Sequence, residues 1–219
     1  MKIAAFLFPA FLFFSCSKKT DESPIPYSEA TYRVIISMNW TSPSFSVPAS
    51  AHITPLIGIV HSKDTFLWMT GRLATGGLED VAEIGNNTKI NAELDAILQK
   101  NKGLSKFAIT PPTITDTVES NLNFNTDFPY VSFASMIAPS PDWFTGIHDF
   151  SLLNNKEWIA DITLNLMVYD AGTEEGNVFG YNNPETNPHQ NISLLTPASV
   201  LANGNASIAP IGTIRFIKN

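Results

Sequence analysis

Hydrophobic and polar positions alternate with a period of two along most of this chain. In Thr31–Asn39 the residues Tyr32, Val34, Ile36 and Met38 share one face, which predicts a half-buried strand. Ile162, Leu164, Leu166 and Val168 alternate in the same way with Thr163, Asn165 and Met167. Leu56–Val60, Phe66–Trp68, Leu122–Phe124, Tyr130–Ile137, Ile162–Tyr169 and Gly212–Ile217 complete the predicted strands. Turn chemistry separates them at Thr110-Pro111-Pro112, Pro139-Ser140-Pro141 and Asn182-Asn183-Pro184. One stretch has a helical period. Ile90, Leu94, Ile97 and Leu98 fall on one face, with Lys100 and Lys102 near the C-terminal end and Gly103 beyond it. A shorter turn of helix is expected over Leu78–Ile84. Many short strands with a single helical excursion predict an all-β fold, an antiparallel β-sandwich with one or two short helices in a connection.

The N-terminus breaks this pattern. Lys2 precedes an apolar run from Ile3 to Phe14, broken only by Pro9, and Ser15-Cys16 follows directly. Such a run is too short for a membrane-spanning helix and has the flanks of a secretory signal. A small residue before a cysteine at its end suits a lipoprotein signal peptidase. Residues 1–15 are therefore expected to be a lipoprotein signal peptide, with lipid attached at Cys16, the one cysteine in the chain. Its diacylation would leave no thiol for a disulfide, a metal or catalysis. Residues 16–30 are polar, with Lys18-Lys19, Asp21-Glu22, Pro24 and Pro26, and are expected to form a tether. Charges placed just after a lipidated cysteine resemble the surface-export tags of bacterial lipoproteins. A bland solvated linker is the alternative. Residues 31–219 are then one domain, displayed in the cell envelope, on the outer membrane facing the periplasm or the surface.

The formal net charge is −7, and an acidic chain without a basic block argues against nucleic acid and against charge-driven docking on anionic lipid. The chain contains no G-x-S-x-G, H-E-x-x-H, glycine-rich phosphate loop or C-x-x-C, so an enzyme is not expected. His52, His61, His148 and His189 are scattered, and the sequence gives His61 no partner. Trp40, Trp68, Trp143 and Trp158 read as core or rim residues, with sugar stacking as the less ordinary use.

Two acidic turns carry the candidate chemistry. In Pro139-Ser140-Pro141-Asp142-Trp143-Phe144, two prolines restrict the backbone before Asp142 and fix the direction of its carboxylate. In Tyr169-Asp170-Ala171-Gly172-Thr173-Glu174-Glu175-Gly176, Asp170 ends a strand and Gly172 permits a sharp turn. Oxygen donors from a rigid loop opposed by those of a flexible one suit calcium, whereas zinc would want His or Cys. Asp142 and Asp170 closing Asx turns is the alternative, and spacing alone leaves it open.

The same residues carry a resemblance. Pro139-Ser140-Pro141-Asp142-Trp143-Phe144-Thr145-Gly146 and Asp170-Ala171-Gly172-Thr173 resemble the signature of the spondin N-terminal domain family, that of F-spondin and mindin. Pro55-Leu56-Ile57-Gly58, His61-Ser62, Trp68, Ala74-Thr75-Gly76-Gly77-Leu78, Ala82-Glu83-Ile84-Gly85 and Ala209-Pro210-Ile211-Gly212-Thr213-Ile214 follow in the family's order. The resemblance covers nearly all of Tyr32–Ile217 and marks the chain as similar to a bacterial lipoprotein member of that family. It implies an antiparallel sandwich with calcium held by loops at one end. Asp142, Asp170 and the position four beyond it, Glu174, are then the implied metal ligands. The family usually has Asp where Glu174 stands. The extra methylene lets Glu174 bind through both oxygens, weaken the site, or yield to Glu175. Leu153 lies near where animal members carry a disulfide cysteine. Family members work in the extracellular matrix and recognise cell-surface receptors and microbial glycans. The expected function is thus a calcium-binding interaction or adhesion module whose ligand is a glycan or a cell-surface protein. The alternative is a structural envelope lipoprotein in which calcium only stabilises the fold.

Overall fold

The computed structural model describes residues 25–111 and 113–219, so the expected leader, Cys16 and most of the tether lie outside the described residues. Eight long strands form among the described residues: β1 (Glu29–Met38), β2 (Leu56–His61), β3 (Gly103–Ile109), β4 (Thr117–Asn125), β5 (Tyr130–Ala138), β6 (Trp143–Ser151), β7 (Asp161–Asp170) and β8 (Gly212–Lys218). Two helices, α1 (Gly76–Ile84) and α2 (Thr88–Gln99), fill the connection from β2 to β3. The strands pair antiparallel in the order β3-β2-β5-β6-β7-β8-β1-β4. The outermost strands, β3 and β4, come back towards each other across a groove lined by Leu104, Ser105, Asn123 and Phe124. The antiparallel sheet thereby curls nearly into a barrel, as expected of an all-β sandwich.

One strand joins the two layers. Asp161–Leu166 of β7 pair with β8, and Met167–Asp170 pair with β6. The register also defines two ends. Tyr32 of β1 lies opposite Lys218, and Ile217 lies opposite Asp161, so the described chain enters beside the start of β7. Asp170 sits at the other end of that ten-residue strand, opposite Trp143.

Two cores result. Between the layers, Tyr32, Val34, Ile36 and Met38 pack with Phe124, Val131, Phe133, Ile137 and Phe216. Tyr32 meets Phe124 edge-on at 5.4 Å between ring centres, and its hydroxyl donates to the Ile159 carbonyl at 2.6 Å. Each fully buried large side chain contributes on the order of 1.5–3 kcal/mol. Outside the second layer, Leu78, Val81, Ile90 and Leu94 of the helices cover Ile57, Ile59, Ala134 and Phe144. Thr75 caps α1 by accepting the Leu78 amide at 3.2 Å, while Glu93 of α2 accepts the Gly77 amide at 2.8 Å. The left-handed φ of +64° at Gly85 ends the helix.

Three sequence expectations change. Phe66–Trp68 is not a strand; it lies over the helical side, where Trp68 Nε1 donates to the Phe133 carbonyl at 2.9 Å and the Arg72 guanidinium covers Phe66 at 5.2 Å. Strands β3 and β6 had not been expected at all. The first strand begins at Glu29, two residues before the expected start.

Candidate metal centre

Asp142 ends the link from β5 to β6. Ser140 Oγ closes this turn by accepting the Trp143 amide at 3.1 Å. Because Trp143 pairs with Asp170, Asp142 stands beside Ala171, whose amide donates to the Asp142 carbonyl at 3.1 Å. The two acidic turns meet for this reason: neighbouring strands deliver them to the same end of the sandwich.

The Asp142 side chain is fully buried. Its Oδ2 accepts the Thr173 amide at 2.7 Å, the Thr173 hydroxyl at 3.3 Å and the Glu174 amide at 3.1 Å. Its Oδ1 is buried with no hydrogen-bond partner. A carboxylate oxygen taken out of water without a partner is costly, and such an atom is where a missing ligand is looked for. Asp170 Oδ1 accepts the Gly172 amide at 2.8 Å, so the Asx turn is real but uses one oxygen of the two. The Glu174 Oε2 accepts the Asn183 amide side chain at 3.3 Å.

The segment after β7 is held in place along its length. Gly172, Thr173 and Glu175 exchange backbone hydrogen bonds with Gln190, Thr186 and Pro184, each at 2.8 Å. Phe179 sits against both Trp40 and Trp143, with ring centres 6.1 and 5.9 Å away. A polar hollow of about 140 Å³ remains, lined by Asp170, Glu174, Glu175, Asn177, Thr186 and Gln190.

Helix α1 adds a carboxylate that sequence reasoning missed. Glu83 on this helix feels the charges of Glu79 and Asp142. Its sequence signals were its place in Ala82-Glu83-Ile84-Gly85, one of the pieces that carry the family resemblance, and beside the buried Val81-Ala82 pair of α1. Burial, then the charge of Asp142, pushes the Asp170 carboxyl up to about 6. Burial foremost pushes Glu174 up to about 7, with the charges of Glu83 and Asp142 adding to it and the Asn183 hydrogen bond opposing. Burial also raises Asp142 and Glu83, against the hydrogen bonds from Thr173. Like charges gathered in a poorly solvated place disfavour one another's ionisation.

Oxygen donors, a buried carboxylate oxygen without a partner and acids that resist ionisation fit a hard divalent cation. Among the described residues, no three His, Cys, Asp or Glu side chains converge tightly enough to enclose a metal by themselves. The lining therefore holds one only with oxygens of other kinds joining, or with the long Glu83 and Glu174 side chains swinging inward.

A family model described as Spondin_N matches residues 30–207. The chain belongs to the spondin N-terminal family. Spondin domains are extracellular adhesion-type modules, generally without enzymatic activity. Spondin-2 of Rattus norvegicus is 28% identical over 205 residues, covering 86% of this chain and 62% of the rat protein. Spondin-2 of Homo sapiens is 29% identical over 179 residues, covering 78% of this chain and 54% of the human protein. Spondin-1 of Gallus gallus is 30% identical over 176 residues, covering 76% of this chain but 22% of the chicken protein. This spondin domain thus spans less than two thirds of each of these relatives. No helix among the described residues is long and apolar enough to cross a membrane.

The remaining candidates fall outside the site. Trp40, Trp68 and Trp143 are buried and Trp158 is half-buried, its Nε1 donating to Ser28 Oγ at 2.9 Å. His61, which the sequence left without a partner, is fully buried between the Ser62 carbonyl and the Ser132 hydroxyl, each at 2.8 Å.

Proposed function

We propose that this spondin domain is a calcium-binding interaction module of the cell envelope, tethered to an outer membrane by lipid on Cys16. The observation that carries the calcium reading is Asp142: a fully buried carboxylate with one oxygen lacking any partner, in electrostatic reach of Asp170 and Glu174. Asp142, Asp170 and Glu174 would hold the ion, beside the hollow that Asp170, Glu174 and Glu175 line. Bound there, calcium supplies a fixed positive charge that lets these acids ionise together and that an anionic or hydroxyl-rich ligand can share.

The described chain enters beside the start of β7, at the end opposite Asp170, which supports display of the acidic end away from a membrane anchor. The ligand is proposed to be a glycan or a cell-surface protein. A second reading, calcium as a stabiliser only, is favoured by one feature. The three hydrogen bonds received by Asp142 already tie the segment after β7 to the sandwich.

Calorimetry with calcium on the soluble domain tests the ion, and binding that weakens in Asp170→Asn is expected. No heat with wild type, or an unchanged affinity in the variant, rejects the site. A glycan array with calcium and with chelator separates the two readings, because a stabiliser alone shows no calcium-dependent glycan signal.

A further inference from the structure

The loop that follows β1, from Thr41 to Ser46, is fastened to the connection between β7 and β8 by asparagine side chains. Asn203 Nδ2 donates to the Pro43 carbonyl at 3.0 Å, and Asn203 Oδ1 accepts the Ser46 hydroxyl at 3.2 Å. Asn205 Nδ2 adds donations to the Pro43 and Ser44 carbonyls at 3.2 and 3.1 Å. Behind this latch, the Ser46 amide donates to the Leu201 carbonyl at 3.1 Å, and Trp40 Nε1 donates to the Ser46 carbonyl at 2.8 Å. Phe45 is buried in the core between them.

The latch residue is also the first half of the chain's one Asn-Gly pair. Asn203 ends a short 3-10 turn at Val200–Ala202 with a left-handed φ of +51°, and Gly204 follows at φ +78°. Both are exposed, and a Cβ at Gly204 would meet nothing within 4 Å. The Gly204 nitrogen is therefore screened neither by a side chain of its own nor by neighbouring chain. The bonds that hold the Asn203 amide lie at the surface, where such bonds open and close locally.

We propose that Asn203-Gly204 is a self-modifying site, where loss of ammonia turns the Asn203 amide into a carboxylate and undoes the latch. The Gly204 nitrogen gives up its proton and attacks Cγ of Asn203. The new N–C bond closes a cyclic imide, the Cγ–Nδ2 bond breaks, and Nδ2 leaves as ammonia with the proton from Gly204. Water then opens the imide at either carbonyl, leaving aspartate or isoaspartate with a free carboxylate. Water is the one co-reactant. A carboxylate has no hydrogen to give the Pro43 carbonyl and meets that oxygen with like charge. The Thr41–Ser46 loop is then held on this side by Asn205 and its backbone bonds.

The test incubates the full-length chain in detergent in mildly alkaline buffer. Peptide mass spectrometry follows each asparagine, and isoaspartate is assayed separately. Asn101 is the control within the same chain: it is exposed and left-handed at φ +53°, but Lys102 follows it. Asn203 is expected to convert at least about tenfold faster than Asn101, into a mixture of aspartate and isoaspartate. Conversion no faster than at Asn101, or without isoaspartate, overturns the site. Hydrogen exchange of Asn203→Asp reads the latch. The Phe45 and Ser46 amides should exchange about twofold to tenfold faster than in wild type, with the β5 amides unchanged. Unchanged exchange at Phe45 and Ser46, or a rise shared by the whole sandwich, overturns the latch while the chemistry at Asn203 stands.

Discussion

Gly172 lies against the backbone of Gln190. A Cβ at position 172 would stand 2.3 Å from the Gln190 carbonyl oxygen, and the Gly172 φ of +75° is one that L side chains rarely adopt. The Gln190 amide meanwhile donates to the Gly172 carbonyl at 2.8 Å, so the two segments cannot separate without losing that bond. Gly172→Ala is expected to destabilise the domain by roughly 1–3 kcal/mol and to weaken calcium binding. Urea denaturation measures the first and calorimetry the second. A variant of wild-type stability would show that this turn yields easily.

In chelator, the acidic end should make the domain more stable at pH 5 than at pH 7.5. Asp170 is raised to about 6 and Glu174 to about 7 in the folded chain, above the ordinary carboxylate range. The folded state therefore holds more protons than the unfolded one between about pH 4 and 7, and stability falls as pH rises through that window. Calcium reverses the slope, because it binds the ionised carboxylates. At a hundredfold excess over Kd it adds about 2.7 kcal/mol, or roughly 5–10 °C in melting temperature for a domain of this size. Melting curves at both pH values, with calcium or chelator, read the effect. Equal slopes with and without calcium would contradict it.

The network around His61 opposes this acid trend. The Ser62 carbonyl can only accept, so Nδ1 carries the hydrogen and Nε2 accepts from Ser132. Ser132 Oγ in turn accepts the Asp149 amide at 2.8 Å. Burial pushes the imidazole below its ordinary value, with the Ser62 hydrogen bond and the Asp149 charge opposing. As pH falls below about 6.5 the unfolded chain takes up this proton first, so the His61 contribution to stability is lost on acidification. His61→Gln should remove that loss, seen in chelator as a larger gain in stability than wild type shows between pH 7 and pH 5. Side-chain NMR should find the neutral Nδ1–H form persisting below pH 6.5; ordinary titration there would refute the assignment.

Lipid attachment at Cys16 predicts that a fatty-acid analogue labels the wild type and misses Cys16→Ala. The substituted chain should leave the membrane fraction. A labelled, membrane-bound Cys16→Ala places the anchor elsewhere.

Strands with one wet face were legible in the sequence; those without one were not. Along β1, Tyr32, Val34, Ile36 and Met38 are buried between more exposed neighbours, and the alternation shows. Along β6 both faces of Trp143–Ile147 are covered, so no period remains to read. In β3, Leu104 lies outward while Gly103 and Ser105 face in, which scrambles the pattern of an edge strand. For the candidate site, Asp142 and Asp170 stood out because each lies in a turn with its own local chemistry, and the family resemblance added Glu174 and named all three as ligands. Glu83 did not stand out. Its electrostatic coupling to Asp142 depends on how α1 packs across the sheet, which no spacing encodes.

The division of β7 between two layers has a mechanical consequence. A pull applied between the chain's entry at β1 and a ligand held beyond Asp170 acts at opposite ends of β7, whose ten residues span about 30 Å. The β1–β8 and β8–β7 ladders are then loaded in shear, and their hydrogen bonds must give way together, not open one after another like a zip. Such a module grips most firmly along the direction from anchor to ligand. Force spectroscopy should find a higher unfolding force along that axis than with the chain pulled between its N-terminal end and Asn219, which lie together at one end so that the β1–β8 ladder opens pair by pair.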